Sequence, residues 1–254
     1  MKATGNIEPI VAVHRFCAAI FFAAILLLAV QCARHASMPE WSEALLWITA
    51  AASLLTSLAR ELPWQNVLLA AAVIGGIAGG ASAVAWFLGW PGFFAGTSEW
   101  ALFQFPGAGS ALLWIVALLS SRGVARLILR RRRESSFYGF ELIGLTTVLA
   151  ATLDLEILDR FSWKYNWERP LVRLLTALLI QVLITPALMR KKPGKVAPAF
   201  HPLYVWTALN LLLAVVESIR DLKLQAGMRV GIATAVVVAS LIGVRTGKRD
   251  PAAA

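Results

Sequence analysis

The residues best suited to chemistry are acids set inside apolar sequence. Glu141, Asp154, Glu156 and Asp159 fall within one largely apolar stretch, residues 137–159. Hydrocarbon disfavours an ionised carboxylate, so an acid at membrane depth faces a bundle interior or a wet cavity. A protonated carboxylic acid kept in an apolar cavity is a competent general acid. Asp154 is the foremost candidate. On a continuous helix it lies about six residues past the middle of the stretch, still inside the hydrocarbon. The structural alternative is a buried acid that bonds a neighbouring helix or pairs with Arg173. Glu141 is near the start of the stretch, where Arg122 or Arg126 could neutralise it. Asp159, followed by Arg160, belongs near a membrane surface, and Glu217 lies beside Arg220 at the end of a later run.

The elements that must position these acids follow from composition. The chain has 254 residues, 59% of them hydrophobic and 15% charged, against about 25% charged in a soluble domain. The apolar residues are blocked into long runs, which points to an all-α, polytopic integral membrane bundle in one domain. About eight transmembrane helices are expected, near residues 11–33, 41–59, 66–89, 108–129, 137–159, 171–189, 202–219 and 228–244. The first run has a second reading as a signal peptide, since Arg15 precedes a short apolar core. No small-x-small cleavage pattern follows Val30-Gln31-Cys32-Ala33.

Orientation follows from the basic residues. With the N-terminus inside, sixteen of the 24 Lys and Arg fall on the inner side, including the run Arg130–Arg133. Cytoplasmic segments carry this excess. The expectation is a multi-pass protein of the inner (cytoplasmic) membrane with both termini in the cytoplasm. The net charge of +10 then reflects contact with membrane lipids rather than nucleic acid.

Motifs of soluble enzymes are missing: the sequence has no phosphate loop, dinucleotide fingerprint or His-Cys cluster. His14, His35 and His201 read as boundary residues. Cys17 and Cys32 are about 22 Å apart along a helix, too far for a disulfide. Gly75, Gly76, Gly79 and Gly80 form overlapping small-xxx-small pairs, which favour close helix approach, within the chain or between copies. Substitution of Gly76 or Gly80 by Leu is therefore expected to force helices apart. Trp41, Trp64, Trp90, Trp100, Trp163 and Trp167 read as interfacial anchors, and Trp47, Trp86, Trp114 and Trp206 as deep residues.

One stretch carries more. It comprises Trp90-Pro91-Gly92-Phe93-Phe94, Leu113-Trp114-Ile115-Val116, Ser121-Arg122-Gly123-Val124-Ala125-Arg126 and Tyr138-Gly139-Phe140. It continues through Thr152-Leu153-Asp154, His201-Pro202-Leu203 and Asn210-Leu211-Leu212. This half of the chain resembles the carotenoid biosynthesis membrane proteins related to bacterioruberin-type carotenoid hydratases. The resemblance implies an all-helical membrane protein, a long apolar polyene substrate, no cofactor, and addition of water to a terminal double bond. It departs from those hydratases at Leu153, where they carry Trp. The second acid, Asp159, comes five residues after Asp154, and Arg160 replaces a Pro. On a continuous helix five residues turn the side chain by roughly 140°, so the two acids do not share a face.

Two functional expectations result. In the first, Asp154 protonates a terminal alkene, water captures the tertiary cation, and Tyr138 or Glu141 positions that water. In the second, the chain is a non-enzymatic membrane protein, a small-solute transporter or a structural partner of membrane enzymes. Inverted repeats and paired broken helices would mark a transporter, and no convincing repeat is present.

Overall fold

The computed structural model describes residues 7–34, 40–87, 108–154, 168–189, 199–219 and 222–246. Among them are eight α-helices and no strand: α1 (Ile7–Ala33), α2 (Glu40–Ala59), α3 (Trp64–Phe87), α4 (Ala108–Ile128), α5 (Tyr138–Ala151), α6 (Glu168–Leu188), α7 (His201–Ile219) and α8 (Lys223–Thr246). A 3-10 turn, Leu129–Arg132, continues α4.

Six helices are long and apolar enough to cross a membrane: α1, α3, α4, α6, α7 and α8. The apolar part of α2, Ala44–Ala59, and the whole of α5 are shorter. The side chains are distributed as a bilayer requires. Phe16, Leu26, Leu69, Phe87, Phe140 and Leu224 point outward, while Ser42, Ser53, Arg122, Gln181, Asn210 and Arg229 are buried. Water would penalise the first set heavily; lipid tails do not. Buried hydroxyls bond backward to their own helix, as Thr146 Oγ1 does to the Leu142 carbonyl (2.6 Å) and Thr185 Oγ1 to Gln181 (2.6 Å).

Helix α4 is the centre of the bundle and packs against α2, α3, α5, α7 and α8. Helix α1 packs on α2 and α7, and α6 on α3 and α5. Phe21, Leu54, Ile74, Leu119, Ile180 and Val205 meet in one core. Val124, Leu142, Leu149, Trp206 and Ala233 form a second. Trp206 is fully buried, and its Nε1–H donates to the Leu149 carbonyl at 3.2 Å. Trp114 is also buried, and Trp47 packs on the first core. Trp41 and Trp64 lie exposed at the starts of α2 and α3, as interfacial anchors do. Trp86, Trp90, Trp100, Trp163, Trp167 and His35 have side chains outside the described residues. Cys17 and Cys32 are free thiols on the one helix α1.

The fifth run differs from expectation. The helix ends at Ala151, not near residue 159, so it is about 21 Å long and falls short of a hydrocarbon core of about 30 Å. Thr152 and Leu153 form a closing turn: Leu153 N–H donates to the Ala150 carbonyl (3.0 Å) and Asp154 N–H to Ala151 (3.2 Å). Helical angles therefore do not relate Asp154 to later acids, and Asp159 lies outside the described residues.

The glycine face is corrected too. A side chain at Gly75 would contact Ile115 (3.5 Å) and Ala111 (3.6 Å) of α4, so the close approach belongs to that face. Nothing lies within 4 Å of a Cβ placed on Gly76 or Gly80. The tightest crossings are elsewhere. A Cβ on Gly243 would stand 2.7 Å from the Ile128 carbonyl oxygen and nearer still to that of Leu127; on Gly123 it would meet the Pro202 ring. Backbone cannot yield cheaply there, so Gly243→Ala is expected to destabilise by about 1–3 kcal/mol. Gly76→Leu is expected to stay within about 0.5 kcal/mol of the parent. Thermal aggregation midpoints in detergent check both, and a Gly243→Ala variant as stable as the parent refutes the close crossing.

Candidate functional site

Alternation of direction along the chain places the end of α5, the start of α6, the end of α7 and the start of α8 at one end of the bundle. That end holds two buried ion pairs, one on each side of the terminus of α5. A helix terminus leaves carbonyl groups without partners and carries partial negative charge. Here neighbouring helices supply cations and donors.

On one side is Asp154. Arg173, in the second turn of α6, directs Nη1 at both carboxylate oxygens at 2.6 Å. The side chains are 11% and 4% exposed. The sequence allowed this pairing as the structural alternative, and it is the arrangement present. Charge-assisted bonds of this length are short and strong, and they tie the end of α5 to α6. The pair lies on the wall of a small, partly open cleft between α4, α5 and α6. Leu113, Trp114, Ala117, Ala150, Leu153 and Leu174 make most of its lining. The lining is largely apolar with one charged spot, so a polar solute would find few partners there.

On the other side is a network that sequence reasoning missed. Arg229 of α8 is fully buried. Its Nε donates to Glu217 Oε1 of α7 at 2.7 Å, and its Nη1 donates to the Thr152 carbonyl at the end of α5. Asn210 Oδ1 lies 3.5 Å from the same Nη1. The expected neighbour of Glu217 was Arg220, which is outside the described residues; its partner is Arg229. Helix α8 begins at Lys223 rather than Met228, and the extra turn carries Arg229 inward. A signal was available, because Glu217 and Arg229 each interrupt apolar runs that a short connection makes adjacent.

The remaining candidates are not part of this end. Tyr138 and Glu141 lie in the first turn of α5, about 15–20 Å along the helix from its end at Ala151, so they cannot position water at the Asp154 carboxyl beyond that end. Glu141 pairs with Arg132 at 2.5 Å rather than with Arg122 or Arg126. Its place in the first turn also suits the helix dipole. Arg126 pairs with Glu61 at the end of α2, at 3.2 Å.

At this opposite end the structure joins two histidines that looked unrelated. His14 and His201 meet edge to face with ring centroids 4.5 Å apart. His14 Nδ1 is 3.1 Å from the Ser53 carbonyl and 3.2 Å from Thr56 Oγ1. Among the described residues no group of three His, Cys, Asp or Glu could hold a metal ion.

Comparison with protein-family models, curated proteins and solved structures returned no match to this chain.

Proposed function

We propose that this chain is a carotenoid-biosynthesis-type membrane protein that admits an acyclic polyene to the α4–α5–α6 cleft and hydrates its terminal double bond. The observation that supports this reading is a carboxyl group, paired with Arg173, on the wall of a largely apolar cleft within a helical membrane bundle. The reaction places the Asp154 proton on the less substituted carbon of the terminal double bond, leaving a tertiary cation beside the new carboxylate. Water adds to that cation, and the proton it releases returns to Asp154, so the acid is regenerated. Because Arg173 bonds both oxygens of Asp154, the reading requires Arg173 to withdraw from the carboxyl when substrate enters. Tyr138 and Glu141 have no role in it.

The orientation belongs to the same proposal: inner (cytoplasmic) membrane, both termini and the Arg130–Arg133 segment in the cytoplasm, by the excess of basic residues on that side. One strain tests both statements. Expression in a lycopene-producing bacterium is expected to yield a more polar pigment heavier by one water. Unchanged pigment at confirmed expression argues against hydration. In a variant lacking Cys17 and Cys32, a single cysteine in the Arg130–Arg133 segment should resist an impermeant thiol reagent in intact cells; labelling there reverses the topology.

A second reading, a non-enzymatic membrane protein, is favoured by the Asp154–Arg173 pair itself. A carboxylate fully engaged by a guanidinium ties α5 to α6 without any chemistry.

A further inference from the structure

Among the described residues, a buried cation on the central helix has no counter-charge. Arg122 lies in the fourth turn of α4, is 3% exposed, and directs Nη1 at two neutral groups of α6: Gln181 Oε1 (2.8 Å) and Thr185 Oγ1 (3.1 Å). Its Nε and Nη2 are buried without any acceptor from the protein, as is Nε2 of the fully buried Gln181. The hydroxyl of Ser121, beside it, is buried and unpartnered as well. The nearest described arginine along the helix, Arg126, adds a second positive charge and is committed to Glu61. An ionised group left uncompensated at this depth is strongly disfavoured, and intramembrane charges ordinarily pair.

The free atoms form a recognisable shape. Nε–H and Nη2–H define the side-on edge of the guanidinium, a planar two-donor fork that matches the two oxygens of a carboxylate or phosphate. The Gln181 amide adds another donor. These groups lie one turn beyond the cleft lining on the same helix faces. Trp114 and Leu118 line it from α4, and Arg122 is the next residue on that face; Ala177 lines it from α6, and Gln181 follows one turn on.

We propose that Arg122 and Gln181 bind the oxyanion head of an amphiphile whose apolar tail lies along the α4–α5–α6 cleft. The head is a carboxylate or a phosphate, from a long-chain acid or an acidic phospholipid. A neutral ligand would leave the charge uncompensated, and a small polar anion would leave the apolar cleft unused. This site shares the cleft with the polyene reading but does not rest on it.

The test uses the full chain purified in non-ionic detergent and native mass spectrometry. Oleate is compared with methyl oleate, and phosphatidate with diacylglycerol. One bound oleate or one bound phosphatidate is expected at about tenfold or greater preference over its neutral analogue, as two charge-assisted bonds imply. The preferred acid identifies the source of the head. Arg122→Lys keeps the charge and loses the fork, and is expected to lower that retention about tenfold. Equal retention of acid and neutral analogue by the parent, which needs no variant, overturns the proposal. So does an Arg122→Lys protein that retains the acid as the parent does, or inorganic phosphate bound as tightly as the lipids. A bacterium that makes no new pigment overturns only the polyene reading and leaves this expectation standing.

Discussion

Arg229→Met is expected to destabilise the bundle by about 3–5 kcal/mol, the usual consequence of leaving one member of a buried ion pair alone. Two groups lose their partner at once. Glu217, nearly as buried as Arg229, keeps its charge without a cation, and the Thr152 carbonyl at the end of α5 loses its donor. Glu217→Met should be comparably harmful, because it strands the guanidinium. The double variant should recover most of the loss, since paired apolar side chains of similar volume replace a buried ion pair at little net change. Full recovery is not expected, because the Thr152 carbonyl stays unpaired. Unfolding in detergent, followed by helicity, measures all three variants. Single and double variants that lose stability additively would mean the two side chains do not interact, and the described network would be wrong.

The same network shows where the sequence was legible and where it was not. Runs of apolar residues locate the eight described helices, and six of them have the length and apolarity that hydrocarbon demands of a segment that crosses it. The first boundary at Ala33 and the second at Ala59 follow from that demand. The end of α5 does not. Residues 152–159 hold enough Leu and Ile to read as continued helix, and what stops α5 at Ala151 in the structure is tertiary. Arg229, Trp206 and Arg173 approach its end from three other helices and bond the groups that another turn would have engaged. Hydropathy has no access to such contacts.

Charge position was misread for a related reason. Counting Arg229 with a surface connection is natural when α8 is taken to begin at Met228; starting it at Lys223 carries the same residue into the interior. Glycine spacing was half informative. Four-residue spacing puts Gly75 and Gly79 on one face and Gly76 and Gly80 on the next, and the pattern alone does not say which meets α4. Asp154 and Arg173 were legible as possible partners, because they are opposite charges near the same end of consecutive apolar runs.

Asp154→Asn is expected to have two separable effects. The first is on stability. Asn keeps size and hydrogen-bonding capacity but not charge, so Arg173, 4% exposed, is left without its counter-ion. A loss of a few kcal/mol is expected, about 3 by analogy with other broken buried pairs. The second is on chemistry. If the chain hydrates a polyene through Asp154, removal of the transferable proton should lower conversion by about 100- to 10,000-fold. Loss of fold and loss of proton both reduce pigment, so the single variant does not decide between them. Asp154→Asn combined with Arg173→Met does. With neither charge present, the cleft wall is neutral and the protein should regain most of its thermal stability in detergent. Conversion should remain absent, because no acid faces the substrate. Arg173→Met alone should keep measurable conversion, since the carboxyl survives and no guanidinium occupies its oxygens. A stable double variant that hydrates lycopene as well as the parent would make Asp154 a structural acid. If conversion instead falls in Asp159→Asn and persists in the double variant, the chemistry belongs to the acid beyond the end of α5.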